Sequence, residues 1–460
     1  MAGKISVYGI FIGTCLLTMY LILRRPYLYI RLGRRNLKLE SYFLGALLGP
    51  LLILIFGVLN SHQIVNGLSG GHGFNPLGIL VLFLSMVFMS IFLDITGFFE
   101  YCACLALKFA KADGKRLFFS LYITVSILTV FTSNDIIILT FTPFIYYFAR
   151  SAGVDPKPYL IAEFFAANTW SMMLYIGNPT NILLAAAFGL HFDKYFKWMF
   201  LPTVAAGLIS VVSLYLVFRE DIARPIAAPN RVNPKKAITD KPGAILGLCL
   251  LGGCIVALSV APYLGFEMWI ISFAFALALF IILFVRDSSV ALLRQRMQQP
   301  NGFTVGSTLR RMPWTVVPFL LSLFITVEAL HVYGITGEIG LLFRHICGHS
   351  SILSGLFYGL SSSLSANLLN NIPMTVAFVS IIRGLSGKNL LAAVLATTIG
   401  SNLGANITPL GALAGIMWMS ILQNKDFHLS FKEFMHYGLM ITPLVLAASL
   451  GVLALELFLF

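Results

Sequence analysis

"TVFTSNDIIILTFTP", Thr129 to Pro143, sets Ser133, Asn134 and Asp135 in the middle of an apolar run. An ionisable carboxylate among Ile, Leu and Phe is costly unless it has a partner or a task. The chain around it is just as apolar: its 460 residues are 58% hydrophobic and 11% charged, with a mean hydropathy of +0.89. Soluble domains carry about 25% charged residues. Many apolar runs here approach the roughly 20 residues that cross a bilayer. The composition therefore predicts an all-α polytopic membrane protein with the lipid bilayer as its surroundings.

The net charge of +13 fits loops that collect Lys and Arg on the cytoplasmic side. No basic stripe with interleaved aromatics points to nucleic acid. The six Cys sit mostly inside apolar runs. Cys102 and Cys104 are two apart, so on a helix they face different ways; neither a disulfide framework nor a metal site is implied. The N-terminus has one Lys, no small-residue cleavage site, and Arg24 and Arg25 after its apolar run, as a first span does.

Ten full spans are expected, at about 5–23, 41–59, 76–95, 159–188, 198–218, 244–262, 268–285, 314–331, 390–422 and 436–458. Two further apolar pieces, 117–149 and 351–382, are too long for one straight span and have polar centres. They read as re-entrant hairpins. Under this assignment one set of loops holds 25 of the 31 Lys and Arg. That set is the cytoplasmic one, which puts both termini on the extracytoplasmic side of an inner (plasma) membrane.

The halves echo each other. "LDITGFFE" from Leu93 resembles "LHVYGITGE" from Leu330, and Asn134 and Asn371 share the same offset of 237. "IGNPTN" at Ile176 is set against "IGSNLGAN" at Ile399, an offset of 223, implying 14 extra residues in the first half. The expected division is N-terminal spans at 1–75, a first repeat at 76–218, a cytoplasmic linker at 219–243, connecting spans and a loop at 244–313, and a second repeat at 314–460. The 76–95 and 314–331 spans run in opposite directions. Inverted repeats with interrupted helices are the pattern of secondary transporters.

Four motifs interrupt apolar helices: "TSND" at 132–135, "GNPTN" at 177–181, "NNIP" at 370–373 and "GSNLGANITPLG" at 400–411. Backbone that leaves the helix at membrane depth must be buried in protein or line a cavity. Half-helix ends then offer free N–H groups to an anion and free C=O groups to a cation. Gly177, Pro179, Pro373, Gly400, Gly404, Pro409 and Gly411 are read as the helix-breaking residues. Ser133, Asn134, Asp135, Asn178, Thr180, Asn181, Asn370, Asn371, Thr375, Ser401, Asn402, Asn406 and Thr408 are the candidate substrate and ion ligands. Asp135 is read as carrier of the coupling proton, with a cation ligand and a structural acceptor as the other readings. Glu163 is read as an acid near a cytoplasmic helix start, Glu328 as a solvated acid near an outer end, and Asp94 and Glu100 as flanking an interfacial segment.

At "LDITGFFEYCACLALKFAKADGKRLF", "FTSNDIIILTFTPFI", "LLNNIPMTV" and "SNLGANITPLGALAGIMWMSIL" the chain resembles the arsenite permease family. That family lies within the larger ion-transporter superfamily that includes citrate and dicarboxylate carriers. The family carries a similar Asn-Asp at the first tip and a Gly-rich stretch followed by Thr-Pro. Asn402 and Asn406 stand where some members place an acid and a Lys. The resemblance implies a secondary transporter of a small anion or oxyacid, with arsenite efflux by proton antiport as the leading expectation. Sodium- or proton-coupled carriage of citrate or a dicarboxylate is the alternative, and a passive anion channel the alternative of another class. The coupling ion is H+ or Na+, and no cofactor is expected. No nucleotide-binding loop is present, so an ATPase subunit would have to be a separate partner; the sequence leaves that, and homo-oligomerisation, open. Without a GxSG–His pairing or HExxH, an enzyme is not expected.

Overall fold

A computed structural model describes residues 2–460 apart from 26, 33–34, 70–74, 112, 224–225, 227–233, 295–303, 424, 426 and 428. Parts of the expected 219–243 linker and 244–313 segment thus lie outside the described residues. Among the described residues the regular structure is helical apart from one two-stranded antiparallel pair, β1 (Tyr27–Leu32) and β2 (Arg35–Glu40), with Tyr27 opposite Glu40 and Leu32 opposite Arg35. This pair departs from the all-α expectation. It falls in "YLYIRLGRRNLKLE", whose charge reads as loop but whose Tyr27, Tyr29 and Ile30 favour a strand.

The first half runs α1 (Ala2–Arg24), α2 (Tyr42–Ile55), α3 (Ser61–Ser69), α4 (Pro76–Ile95), α5 (Phe98–Ala110), α6 (Gly114–Phe131), α7 (Asn134–Ser151), α8 (Lys157–Trp170), α9 (Pro179–Ala187) and α10 (Phe192–Phe218). A short α11 (Pro234–Ala237) follows. The second half runs α12 (Lys241–Val260), α13 (Met268–Arg294), α14 (Thr304–Arg311), α15 (Val316–Val332), α16 (Ile335–Cys347), α17 (Ser351–Leu369), α18 (Asn371–Ile382), α19 (Gly387–Gly404), α20 (Leu413–Gln423) and α21 (Phe431–Leu459).

Among the described residues nine helices are long and apolar enough to cross a membrane, and α2, α18 and α20 are shorter apolar helices. The nine include α6 and α17, the leading arms of the two expected hairpins, each long enough to span on its own. The expected 159–188 and 390–422 spans are each split in two, as α8 and α9 and as α19 and α20.

The two halves follow the same succession. Gly97 and Gly334, at φ 83 and φ 72, precede α5 and α16 at matching places. A side chain at Gly97 would also run into the Ala237 carbonyl. Helix α6 packs on α8 as α17 packs on α19, and α10 packs along α21. The elements ahead of α4 and α15 exchange halves: α1, α2 and α3 pack on α15, while α12, α13 and α14 pack on α4. Outward faces such as Leu208, Val212 and Leu216 on α10 are apolar and exposed, as surfaces against lipid tails are.

Helix ends also revise the register between halves. Residues 171–178 separate α8 from α9, and 405–412 separate α19 from α20. Trp170 and Gly404 close the first pieces, and Pro179 and Leu413 open the second, both at an offset of 234. The expected offset of 223 rested on a repeated Ile-Gly pair that sits at different places in the two helices. The true counterparts are Asn168 with Asn402 and Gly177 with Gly411.

Candidate functional site

The four polar motifs meet. Asn134, the first residue of α7, donates from Nδ2 to Asn168 Oδ1 on α8 at 3.0 Å, and Asn168 Nδ2 donates to Asn406 Oδ1 in the second break at 3.1 Å. Asn402, in the last turn of α19, accepts on Oδ1 from Ser171 Oγ and from Asn178 Nδ2, both at 2.9 Å. Its own Nδ2 donates to Asn181 Oδ1 at 2.6 Å and to the Thr398 carbonyl at 2.8 Å. Ser401 Oγ donates to Thr180 Oγ1 at 3.2 Å. The two interrupted helices are thus stitched together by side chains from both halves. All of these side chains are buried, Asn168, Thr180, Asn181, Ser401 and Asn402 completely. A buried amide left unpaired costs about 1–3 kcal/mol, so such a network tolerates few rearrangements.

Local chemistry positions each break. Asn178 caps α9, its Oδ1 accepting from Thr180 N at 3.1 Å, and Pro179 follows at the first helical position, where a missing N–H leaves no bond unmade. Gly177 passes so near the Ser171 carbonyl that a Cβ there would sit 2.2 Å from the oxygen. A Cβ at its counterpart Gly411 would sit 2.7 Å from Ala405 Cα. At the second tip Asn370 Nδ2 donates to the Leu410 carbonyl and Asn371 N to the Gly411 carbonyl, each at 2.9 Å. Asn370 holds φ 71 and ψ 152, a region nearly reserved for glycine that costs a larger residue about 1–3 kcal/mol. Asn367 braces the far side: its Oδ1 accepts from Thr408 N at 3.0 Å and Thr408 Oγ1 at 2.7 Å, and its Nδ2 donates to the Gly404 carbonyl at 2.8 Å.

Several polar atoms at this junction have no partner: Ser133 Oγ, Asn371 Oδ1, Thr375 Oγ1 and Asn406 Nδ2. They belong to all three of the second tip, the second break and the first tip. Asp135 is half-buried beside them; its backbone N–H donates to Asn134 Oδ1 at 2.9 Å, and among the described residues its carboxylate forms no ion pair.

Some expectations need correction. Gly400 does not break a helix: it lies inside α19, where a Cβ would meet Ser362 Oγ at 2.0 Å, while Gly404 is the last residue of that helix, where a Cβ would meet the Ser363 carbonyl at 2.6 Å. They let α19 press against α17, as small residues do between membrane helices. Pro373 likewise sits in the first turn of α18, where proline is tolerated; Pro409 lies in the second break. Glu163 is not at a helix start but in mid-α8, 1% exposed. Glu328 is buried, at 9%. Asp94 accepts from Thr140 Oγ1 at 3.0 Å and pairs with Arg311 Nη1 at 3.1 Å. Asn168, Ser171 and Asn367 carry central bonds that motif reading passed over; the Asn168–Asn402 equivalence at offset 234 was the signal for the first. A separate cavity of about 460 Å³, lined among others by Asn75, Ile182, His191, Glu267 and Trp269, opens between α4, α9 and the start of α13.

The chain is 27% identical over 380 residues to the arsenical pump membrane protein of Escherichia coli K12, covering 82% of this chain and 85% of that one. It is 26% identical to the Yersinia enterocolitica protein of the same name, with the same coverage. Its fold matches the crystal structure of the Alcanivorax borkumensis YdaH transporter at a TM-score of 0.56 and 13% identity, over 99% of this chain and 98% of that one. Residues 41–399, which contain both tips, the first break and α19 as far as Ile399, match the citrate transporter family, and this membrane transporter with its two interrupted helices belongs to that family.

Proposed function

We propose that the protein is a secondary active transporter that expels a small uncharged oxyacid, arsenite as As(OH)3 in the leading case, in exchange for protons. The observation that carries this reading is the chemistry of the junction. Its buried ligands are amides and hydroxyls, and among the described residues no Lys or Arg bonds to them. A polyanion such as citrate would call for fixed cations in a buried site, whereas a neutral trihydroxy acid needs alternating donors and acceptors. The names of the relatives at 26–27% identity support the same substrate.

In this reading Ser133, Asn134, Asn371, Thr375, Asn406 and Thr408 surround the substrate near the bilayer midplane. The helix pairs α6–α7 and α17–α18 re-enter from opposite sides of an inner membrane with both termini outside. The tips and broken helices move together against the remaining spans, exposing the site alternately. Asp135 carries the coupling proton. A second reading, sodium-coupled uptake of a carboxylate, is favoured by one feature: α7, α9, α18 and α20 all begin at this junction, and helix N-termini attract anions.

The test is arsenite uptake into everted membrane vesicles with an imposed pH gradient. Accumulation that vanishes when the gradient is collapsed is expected. Asp135→Asn should abolish gradient-driven accumulation while leaving arsenite binding intact. Uptake that follows sodium instead would transfer the assignment to the carboxylate reading.

A further inference from the structure

Glu163 lies outside the junction, and the site described above does not use it. It occupies the seventh position of α8 and is 1% exposed. Thr142 Oγ1 of α7 donates to its Oε1 at 2.8 Å, while Oε2 has no partner. Trp418 of α20, fully buried, faces the same carboxyl. Its indole N–H is close but outside hydrogen-bond geometry and has no other acceptor. The Trp418 ring packs 5.2 Å from Phe164 and 5.6 Å from Phe434 between centroids. The pocket is therefore an aromatic box with one carboxyl, one hydroxyl and one free indole N–H.

Among the described residues no cation pairs with it. Helix α8 packs on α6, α7, α10 and α19, and none of their charged groups pairs with Glu163 among the described residues. On α8 itself Lys157 pairs with Glu433 of α21 at 2.6 Å, and Tyr159 is buried. On α7, Asp135 stands seven residues before Thr142, and Arg150 stands eight after it, bonded to Tyr146. On α6, Tyr122 donates to the Gly207 carbonyl, and on α10 Tyr195 donates to that of Met172. Lys115 and Arg116 open α6, Lys388 opens α19, and Lys432, Glu433, His436 and Tyr437 open α21; α20 holds no ionisable side chain. An ionised carboxylate in such a place is normally paired.

The internal repeat shows that the fold does not require this acid. At the matching places of the second half, Thr142, Glu163 and Trp418 are replaced by Val379, Thr397 and Leu184, all buried. The same helix contacts are made there without a carboxyl. What the first half adds is a buried carboxyl group.

We propose that Glu163 is a second proton-binding site of the transporter, about two helical turns along α7 from Asp135. An O–H bond forms at Oε2 with a proton from one aqueous phase and breaks on release to the other. When ionised, Oε2 accepts the Trp418 indole N–H and draws α20, and with it the second break, toward α7 and α8; when protonated, that bond is lost. This assignment rests on the proton-driven reading of function, and two measurements keep the two apart.

The first compares reconstituted full-length wild type with Glu163→Gln and Glu163→Asp. Glu163→Gln is expected to lower pH-gradient-driven arsenite accumulation by about tenfold or more while arsenite–arsenite exchange without a gradient stays near wild type; Glu163→Asp recovers part of the coupling. Accumulation undiminished in Glu163→Gln, or accumulation and exchange lost together, overturns the proposal. The second is an infrared difference spectrum between acid and alkaline buffer without substrate. A protonated-carboxyl band present in wild type and missing in Glu163→Gln is expected; identical spectra overturn the site. If wild type carries no arsenite, the functional reading fails, and the infrared result alone decides Glu163.

Discussion

The two tips occupy the same place in the two halves, Ser133 matching Asn370 and Asn134 matching Asn371, yet they are held differently. The first is relaxed: Ser133 has φ -133 and ψ 143, and its hydroxyl bonds to nothing. Its tie to the broken helices is one amide pair, Asn134 with Asn168. The second tip is pinned through backbone carbonyls of the break it faces and keeps Asn370 in a strained conformation to do so. Backbone contacts hold position whatever the side chains do, whereas a single amide pair is easily exchanged. The second tip is thus built as a fixed wall and the first as the movable one, and the first is also the tip that carries Asp135.

The largest effect should come from cutting the first tip's tie. Asn168→Ala leaves the Asn134 amide and the Asn406 carbonyl without partners, about 1–3 kcal/mol for each. Thermal unfolding should fall by a corresponding amount, and hydrogen exchange at 132–136 should rise while that at 370–373 stays put. Equal loosening of both tips would erase the distinction. A smaller effect is expected at Asn370. Glycine there releases about 1–3 kcal/mol of backbone strain and gives up a bond worth about 1 kcal/mol, whereas alanine gives up the bond and keeps the strain. Asn370→Gly should therefore melt higher than Asn370→Ala; the reverse order would mean the tip is not strained. The smallest effect belongs to Ser133→Ala. The hydroxyl has no partner, so stability should move by less than about 0.5 kcal/mol, and any loss in substrate affinity then reports a direct contact with the substrate.

The polar motifs were legible because Asn, Ser and Pro stand out in apolar helices, and the order of spans because hydropathy is strong there. The failures have physical causes. Asn168 and Ser171 sit in "AANTWSMM", where small and polar residues are ordinary helix-packing material and only the partner half reveals their role. The repeated Ile-Gly pair misled the register because glycine serves two ends: a close turn at Gly177 and helix contact at Gly400. Glu163 was misplaced because the helix begins at Lys157 and is broken after Trp170; a carboxyl in mid-helix looks like one near an end when the break is not known. The strands β1 and β2 were hidden by their arginines.

The exchange of leading helices between halves has a consequence for how the chain is made. Helix α2 finds its place against α15, with the Tyr42 hydroxyl 2.8 Å from Thr315 Oγ1 across 273 residues of sequence, and a Cβ on Gly49 would lie 2.5 Å from Thr326 Oγ1. Helix α4 in turn waits for α13. As the ribosome delivers the first half to the membrane, both helices are inserted with bare faces; α4 is covered once α12 and α13 arrive, and α2 only when residues past 316 do. Two separately expressed halves must therefore find each other in the bilayer before either matures, and a chain truncated after α10 is a natural target for membrane quality control.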